Sequence, residues 1–280
     1  MDHLRGSVAL VTGASRGIGP YVVRALAREG AHLALAGRDV AALEQVAAAA
    51  RAAGVRAVPL GADLRRADDR AALVPRAEAA LGPLDVLVNG AGIESEGAFT
   101  TLEPGVIAET VEVNFTAPVH LARLALPGMV ARGRGHVVNM ASLGGKKGAP
   151  YDALYCGTKA GLVEWTAGLR AELAGTGVSL SAVCPGFVTG VGMFARFGVA
   201  PPRAIGSCTP DQVAAAVVRA IRRDVPEIIV NSVPVRPLLA LAALFPRAGN
   251  WLLARTGIVE FQRRKVAAAP ARPGGGGARP

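Results

Sequence analysis

Cysteine is scarce in this chain. Cys156, Cys184 and Cys208 are the only three in 280 residues, with no C-x-x-C pair and no histidine cluster beside them. An odd, scattered set excludes a disulfide framework and a zinc site, and predicts the reduced thiols of a cytoplasmic protein without a bound metal. Long apolar runs are missing too. No uninterrupted stretch nears the about 20 residues that cross a bilayer. The opening Met1-Asp2-His3-Leu4-Arg5-Gly6 lacks a basic segment followed by an apolar core, so no secretory leader is expected. Charged residues make up 19% against 51% hydrophobic, which excludes a disordered chain and predicts a large buried core.

Acidic residues are almost absent from one stretch. From Pro234 onward, eight arginines and lysines face a single acid, Glu260, so this stretch carries most of the net charge of +10. The body before it is close to balanced, and no nucleic-acid-binding face is expected there. A nucleic-acid-binding tail would show strongly salt-dependent binding that truncation abolishes.

What is present is an alternation of short apolar runs with longer alanine-rich ones. Ser7 to Val11 reads as a buried strand, and Tyr21 to Glu29 as a helix with Val22, Val23, Leu26 and Ala27 at helical spacing. The unit repeats. Strands are expected at 32–36, 55–60, 84–88, 135–140, 178–183 and 227–230, and helices at 40–53, 66–81, 103–132, 153–174 and 210–223. Wholly apolar strands separated by helices predict an α/β fold: one doubly wound parallel sheet of about seven strands with helices on both faces.

Residues 1–233 are expected to form one domain and 234–268 an apolar and basic helical extension. Residues 269–280, rich in Pro, Gly and Ala, are expected to be disordered. In the extension, Pro237 to Phe245 is apolar on all sides and stops at Pro246-Arg247; Trp251-Leu252-Leu253, Arg255 and Phe261 follow. Such a segment can close a pocket, pack against another subunit, or lie peripherally in a membrane interface.

Between the first strand and helix lies Thr12-Gly13-Ala14-Ser15-Arg16-Gly17-Ile18-Gly19. Glycines let backbone approach a diphosphate, and a helix start offers free N–H groups and a positive dipole end. Pro20 suits that first turn, where its missing N–H costs nothing. The plainer reading is a glycine-rich turn that binds no nucleotide.

The loop has the spacing G-x-x-x-G-x-G. Further short motifs follow in order. Ala62-Asp63-Leu64 comes after the third strand and Asn89-Gly90-Ala91-Gly92 after the fourth. Val113-Asn114-Phe115 lies on the long helix, and Ser142 ends the fifth strand. Tyr155-Cys156-Gly157-Thr158-Lys159 opens the next helix, and Pro185-Gly186, with Val188 and Thr189 beyond, follows the sixth strand. With these motifs at successive strand ends, the chain resembles the short-chain dehydrogenase/reductase family over about residues 5–230. Gly90 stands where that family commonly has a second Asn, and Thr189 follows Val188 directly.

The resemblance implies a Rossmann-like domain that binds NADP(H) or NAD. In it, Gly13, Ser15, Arg16, Gly17, Ile18 and Gly19 cradle the cofactor and Asp63 and Leu64 meet the adenine. Asn89, Ala91, Gly92, Pro185, Gly186, Val188 and Thr189 complete the cofactor site. It further implies Ser142, Tyr155 and Lys159 as the catalytic set, Lys159 on the nicotinamide ribose, Asn114 holding a water in a proton relay, and homodimers or homotetramers built through the long helices.

The chemistry suits these residues. A free tyrosine, with pKa ~10, is a poor base at neutral pH. Lys159 lies one helical turn from Tyr155, and its charge is expected to favour the phenolate. Ser142 would steady charge on a substrate oxygen. Alone, the Tyr155/Lys159 pair reads as a surface pair on an amphipathic helix; beside Ser142 and the glycine loop it reads as a proton-transfer site. Tyr151 has no lysine four places on. Cys156 has no nearby histidine to activate it and reads as an inert thiol.

The second strand ends Leu35-Ala36-Gly37-Arg38-Asp39. An acid at this strand end would serve the 2′-hydroxyl of NAD, an arginine the 2′-phosphate of NADP. Arg38, with Arg16, therefore predicts NADP(H), and Asp39 is expected to cap the next helix. The apolar segments Met193-Phe194 and Phe197-Gly198-Val199, together with the extension, predict a hydrophobic ketone or secondary alcohol, lipid- or steroid-like, as substrate. The alternative is a non-catalytic nucleotide-binding or membrane-associated scaffold, for which Ser142, Tyr155 and Lys159 would have no use.

Overall fold

Val8–Thr12 (β1) is buried along its whole length in the computed structural model, which describes residues 4–195, 197–202 and 204–268. The Phe194 side chain and the tail expected at 269–280 lie outside the described residues. Alternate side chains of β1 feed two separate cores. Ala9 and Val11 join one, Val8 and Leu10 the other, as the period of two in a strand requires.

Gly19–Arg28 (α1) and Val40–Ala52 (α2) cover the first core; His32–Gly37 (β2) lies between them in sequence. Ala57–Gly61 (β3) leads into Ala67–Leu81 (α3) on the opposite face, and Val86–Asn89 (β4) follows. Pro104–Val111 (α4), a π turn over Glu112–Thr116 and Ala117–Ala131 (α5) come next, then Gly135–Met140 (β5) and Ala153–Glu172 (α6). The chain continues through Val178–Pro185 (β6), Phe187–Val188 (β7), Gly192–Ala195 (α7) and Ser207–Cys208 (β8). Pro210–Arg223 (α8), on the first face, and Glu227–Val230 (β9) complete the body.

Seven strands form one parallel sheet in the order β3-β2-β1-β4-β5-β6-β9; β7 and β8 make a separate parallel pair. This is the doubly wound arrangement the sequence predicts.

Two differences have physical causes. The helix expected over 103–132 is interrupted at Glu112–Thr116, because Pro118 has no N–H to donate to the Asn114 carbonyl four residues before it. Ala117 N–H instead donates to the Glu112 carbonyl, one residue further back than an α-helix allows. The apolar and basic extension folds as three helices: Arg236–Leu244 (α9), Pro246–Arg255 (α10) and Ile258–Ala267 (α11). Pro246 and Gly257, at φ 80°, punctuate them. No helix among the described residues is long and apolar enough to cross a membrane.

A buried polar chain ties the sheet to α6. Asn89 Nδ2 donates to Asn139 Oδ1 at 2.8 Å, and Asn139 Nδ2 donates to Thr166 Oγ1 at 2.8 Å. The Thr166 hydroxyl donates to the Leu162 carbonyl at 2.6 Å. All three side chains are buried, so removing the middle one takes a short hydrogen bond from each neighbour and leaves Asn89 only its longer bond to the Pro118 carbonyl at 3.4 Å. Asn139→Ala should cost about 1–3 kcal/mol and lower the melting midpoint by roughly 2–4 °C per kcal/mol. Calorimetry checks this; an unchanged midpoint would show that the chain contributes nothing.

Candidate active site

The loop after β1 is pressed against the loop after β4. Thr12 Oγ1 accepts from the N–H groups of Gly90 and Ala91 at 3.1 and 3.2 Å. Gly13, at φ 69°, lies so near Ala91 that a Cβ would be 2.8 Å from its N and Cα. At Gly90, a Cβ would meet the Thr12 carbonyl oxygen at 2.7 Å, which accounts for glycine at that position. Backbone thus lies bare along a crevice that Ile18, Gly19 and Gly92 also line. The first turn of α1 contains no acid, so the positive end of its dipole faces an anion without competition from a carboxylate of its own.

Of the other predicted cofactor residues, Arg16 and Arg38 are exposed and form no ion pair among the described residues. Asp39 does cap α2, accepting from Ala42 N–H at 3.0 Å. Ser15 lies beside Gly37. Asp63 is bonded by Arg65, which holds its carboxyl below the usual range, and Leu64 is buried next to it. Asn89 turns into the core rather than toward the crevice. Pro185, Gly186 and Val188 line the crevice, whereas Thr189 is exposed and its hydroxyl donates to the Cys208 carbonyl at 3.3 Å.

Ser142, Tyr155 and Lys159 come together where β5 meets α6. Ser142 is extended and its Oγ accepts from Gly144 N–H at 3.0 Å. Lys159 Nζ donates to the Met140 carbonyl at 2.8 Å and lies 5.8 Å from the Tyr155 ring centroid. Asn114 is fully buried. Its Oδ1 accepts from Ile93 N–H and its Nδ2 donates to Ile93 O, both at 2.8 Å, so the side chain is spent on the loop after β4.

The expectation that Lys159 lowers the phenol is not met by these residues alone. Burial pushes the Tyr155 hydroxyl above its ordinary range; the Glu94 carboxylate adds to this, and a hydrogen bond with Ser142 opposes it. Lys159 is itself lowered to about 8 by burial, with Cys184 opposing. Cys156 is pushed up to about 12, again by burial first, which keeps it an inert thiol. The Tyr151 hydroxyl accepts from Arg263 Nε at 3.1 Å instead of facing the crevice.

Beyond Tyr155 the crevice becomes an apolar pocket, and the extension builds its far wall. Leu238, Leu239 and Ala242 of α9, Leu253 of α10 and Ile258 of α11 face it across from Leu143. Helices α9 and α10 touch where a Cβ on Gly249 would overlap the Cα and Cβ of Ala242.

Sequence reasoning missed a charged group in this wall. Lys265 Nζ of α11 lies 2.5 Å from Glu94 Oε1 and 3.1 Å from Asp152 Oδ2. The signal was available: Ile258, Phe261, Gln262 and Lys265 fall at i, i+3, i+4 and i+7, one helix face.

A family profile described as short chain dehydrogenase matches residues 7–198. A protein of Nostoc sp. named "Ketoacyl reductase HetN" is 41% identical over 271 residues, 95% of this chain and 94% of that protein. Drosophila melanogaster "Dehydrogenase/reductase SDR family protein 7-like" is 30% identical over 270 residues, 92% of this chain and 82% of that protein. Among solved structures, a metagenomic short-chain oxidoreductase in complex with NADP is 35% identical with a TM-score of 0.71, covering 81% of this chain and 97% of that one. Glycine crevice, buried hydroxyls and sheet order are therefore those of a known oxidoreductase family: the chain belongs to the short-chain dehydrogenases.

Proposed function

We propose that this protein reduces a hydrophobic ketone, or oxidises the matching secondary alcohol, with NADP(H). The observation that carries the reading is the gathering of Ser142, Tyr155 and Lys159 where a crevice of bare backbone opens into an apolar pocket. A dinucleotide suits that crevice, because close-packed glycine backbone, Gly13 against Ala91 and Gly90 against Thr12, lies at its base. Arg38, with Arg16, offers cations outside any ion pair among the described residues for a 2′-phosphate; Asp39 is occupied in capping α2, and Asp63, whose charge Arg38 also feels, is held by Arg65. The NADP bound to the similar solved structure and the ketoacyl name of the Nostoc relative support the same cofactor and an acyl-chain or steroid-like ketone.

When bound, the nicotinamide supplies the hydride to the carbonyl carbon. Ser142 and Tyr155 hold the carbonyl oxygen, and the Tyr155 O–H gives that oxygen its proton. A phenol kept protonated by burial is well suited to be the donor in this direction. Lys159, between α6 and the Met140 carbonyl, holds the ribose and returns a proton to the phenolate. Asn114 fixes the loop at Ile93, and the π turn at its own position leaves its carbonyl without an α-helical donor, free for a relay water.

Tyr155→Phe should lower kcat about a hundredfold to ten-thousandfold while NADPH affinity stays unchanged. Assays of NADPH oxidation against medium- and long-chain ketones, with fluorescence titration of NADPH, check this; equal activity of the variant would remove Tyr155 as the proton donor, and no turnover by the wild type would return the scaffold reading. Arg38→Asp should lower the NADPH/NADH ratio of kcat/KM about tenfold to a hundredfold, the worth of one or two charged hydrogen bonds. An unchanged ratio would assign the 2′-phosphate elsewhere.

The outer face of the extension favours peripheral contact with a membrane. Leu244, Phe245 and Trp251 are 75, 60 and 61% exposed, and Arg247 and Arg255 flank them. Flotation with anionic vesicles should carry the full chain upward, and serine at all three apolar positions should abolish it. A wild-type chain that stays at the bottom of the gradient ends this idea.

A further inference from the structure

The helix α11 inserts one charged side chain into the body. Ile258, Phe261, Gln262 and Lys265 form its buried face, and Lys265 is only 1% exposed. Phe261 packs edge-on against Phe187 at 5.1 Å, and Lys265 Nζ lies 5.0 Å from the Phe197 ring centroid. The ammonium sits between carboxylates from two other parts of the chain, Glu94 after β4 and Asp152 just before α6. Glu94, Asp152 and Gln262 line the same pocket as Tyr155.

An unpaired charge in such a place is strongly unfavourable, so neither the lysine nor the two acids can be buried without the others. Solvation of all three would require α11 to leave the wall. The same group is electrically close to the proposed proton donor, since Glu94 and then Asp152 both act to raise the Tyr155 hydroxyl.

We propose that Lys265 is a positioning residue of the proton-transfer site: from the last helix it clamps the Glu94 and Asp152 carboxylates, seals the apolar pocket and fixes the charge beside Tyr155. The proposal rests on the reading of Tyr155 given above. It makes the extension part of the reaction centre and not merely a cover for the substrate.

The groups facing the cluster set the sign of the effect. They are Glu96 from the same loop as Glu94, Tyr155 and Cys156 from α6, and the Phe197 ring. With Lys265 present, its cation offsets the two carboxylates it touches. Glu94, raised to about 6 by burial with Lys265 opposing, remains ionised at neutral pH. Without Lys265 both acids move up, yet in the alkaline range where the phenol titrates both are ionised with its cation removed, and this holds the phenol further from ionisation. Alcohol oxidation, which needs Tyr155 to accept a proton, then requires higher pH.

Four proteins test this: the wild type, Lys265→Arg, Lys265→Met, and Lys265→Met combined with Glu94→Gln and Asp152→Asn. Hydrogen exchange of the amides in 258–267 reads the docking of α11, and the pH profile of kcat/KM for alcohol oxidation reads the charge. Lys265→Met should lose protection over α11 at least tenfold and move its profile about one pH unit or more to the alkaline side, with NADPH binding unchanged. Lys265→Arg should keep both near wild type, and the charge-balanced triple variant should recover protection even if Lys265→Met fails to fold. Unchanged exchange and profile in Lys265→Met, lost protection without a shifted profile, or a triple variant as unprotected as the single one would each overturn the proposal. Should the wild type turn over no carbonyl or alcohol, the activity reading fails, and the exchange data still decide the clamp.

Discussion

A parallel sheet covered on both faces has one edge at which all its strands finish, and everything functional in this protein follows from that constraint. Thr12 ends β1, Asn89 ends β4, Ser142 follows β5 and Pro185 ends β6. The strands are mostly apolar because helices press on both sides, and the side chains proposed to act on a substrate gather at this rim. Register makes the rim tight. The first turn after β1 touches the first turn after β4 closely enough that glycine is required, and Thr12 stitches the two with its hydroxyl.

Burial governs the electrostatics of the reaction centre more than any single neighbour does. It raises the phenol of Tyr155, lowers the ammonium of Lys159 and silences the thiol of Cys156, and each shift favours the uncharged form. At neutral pH the phenol and the thiol are thus uncharged, while Lys159, lowered to about 8, still holds its proton under an apolar roof. Further charge enters through groups set one layer back, Glu94, Asp152 and Lys265, which are compact enough to be buried only together.

Much of this is written locally in the chain. Helix α8 and strand β9 fall where the sequence predicts them, because Thr209 and Gln212 form a capping box and Pro210 fits the first turn. The residues of the reaction centre are also legible, since Ser142, Tyr155 and Lys159 lie near one another in sequence and at definite strand and helix ends. The break at Asn114 was readable from Pro118 four places on, yet an apolar pattern running through it suggests one unbroken helix. The clamp is different. Lys265 and its partners are 171 and 113 residues apart, and a lysine next to two arginines reads as a solvated basic run until the packing of α11 is known. Protonation behaves the same way: adjacency along a helix tells which groups are neighbours, while the depth of burial decides which of them holds its charge.

The contact between Gly249 and Ala242 bears on how such a pocket changes over generations. Two helices of the wall meet where one residue has no side chain and the other only a methyl group, so the width of the chamber is regulated by the smallest possible parts. One added carbon there would spread the hairpin and reshape the space for a substrate tail, while the nucleotide crevice, built from the opposite end of the sequence, keeps its form. Selection for a different pocket width therefore has a dial that is mechanically separate from the nucleotide crevice.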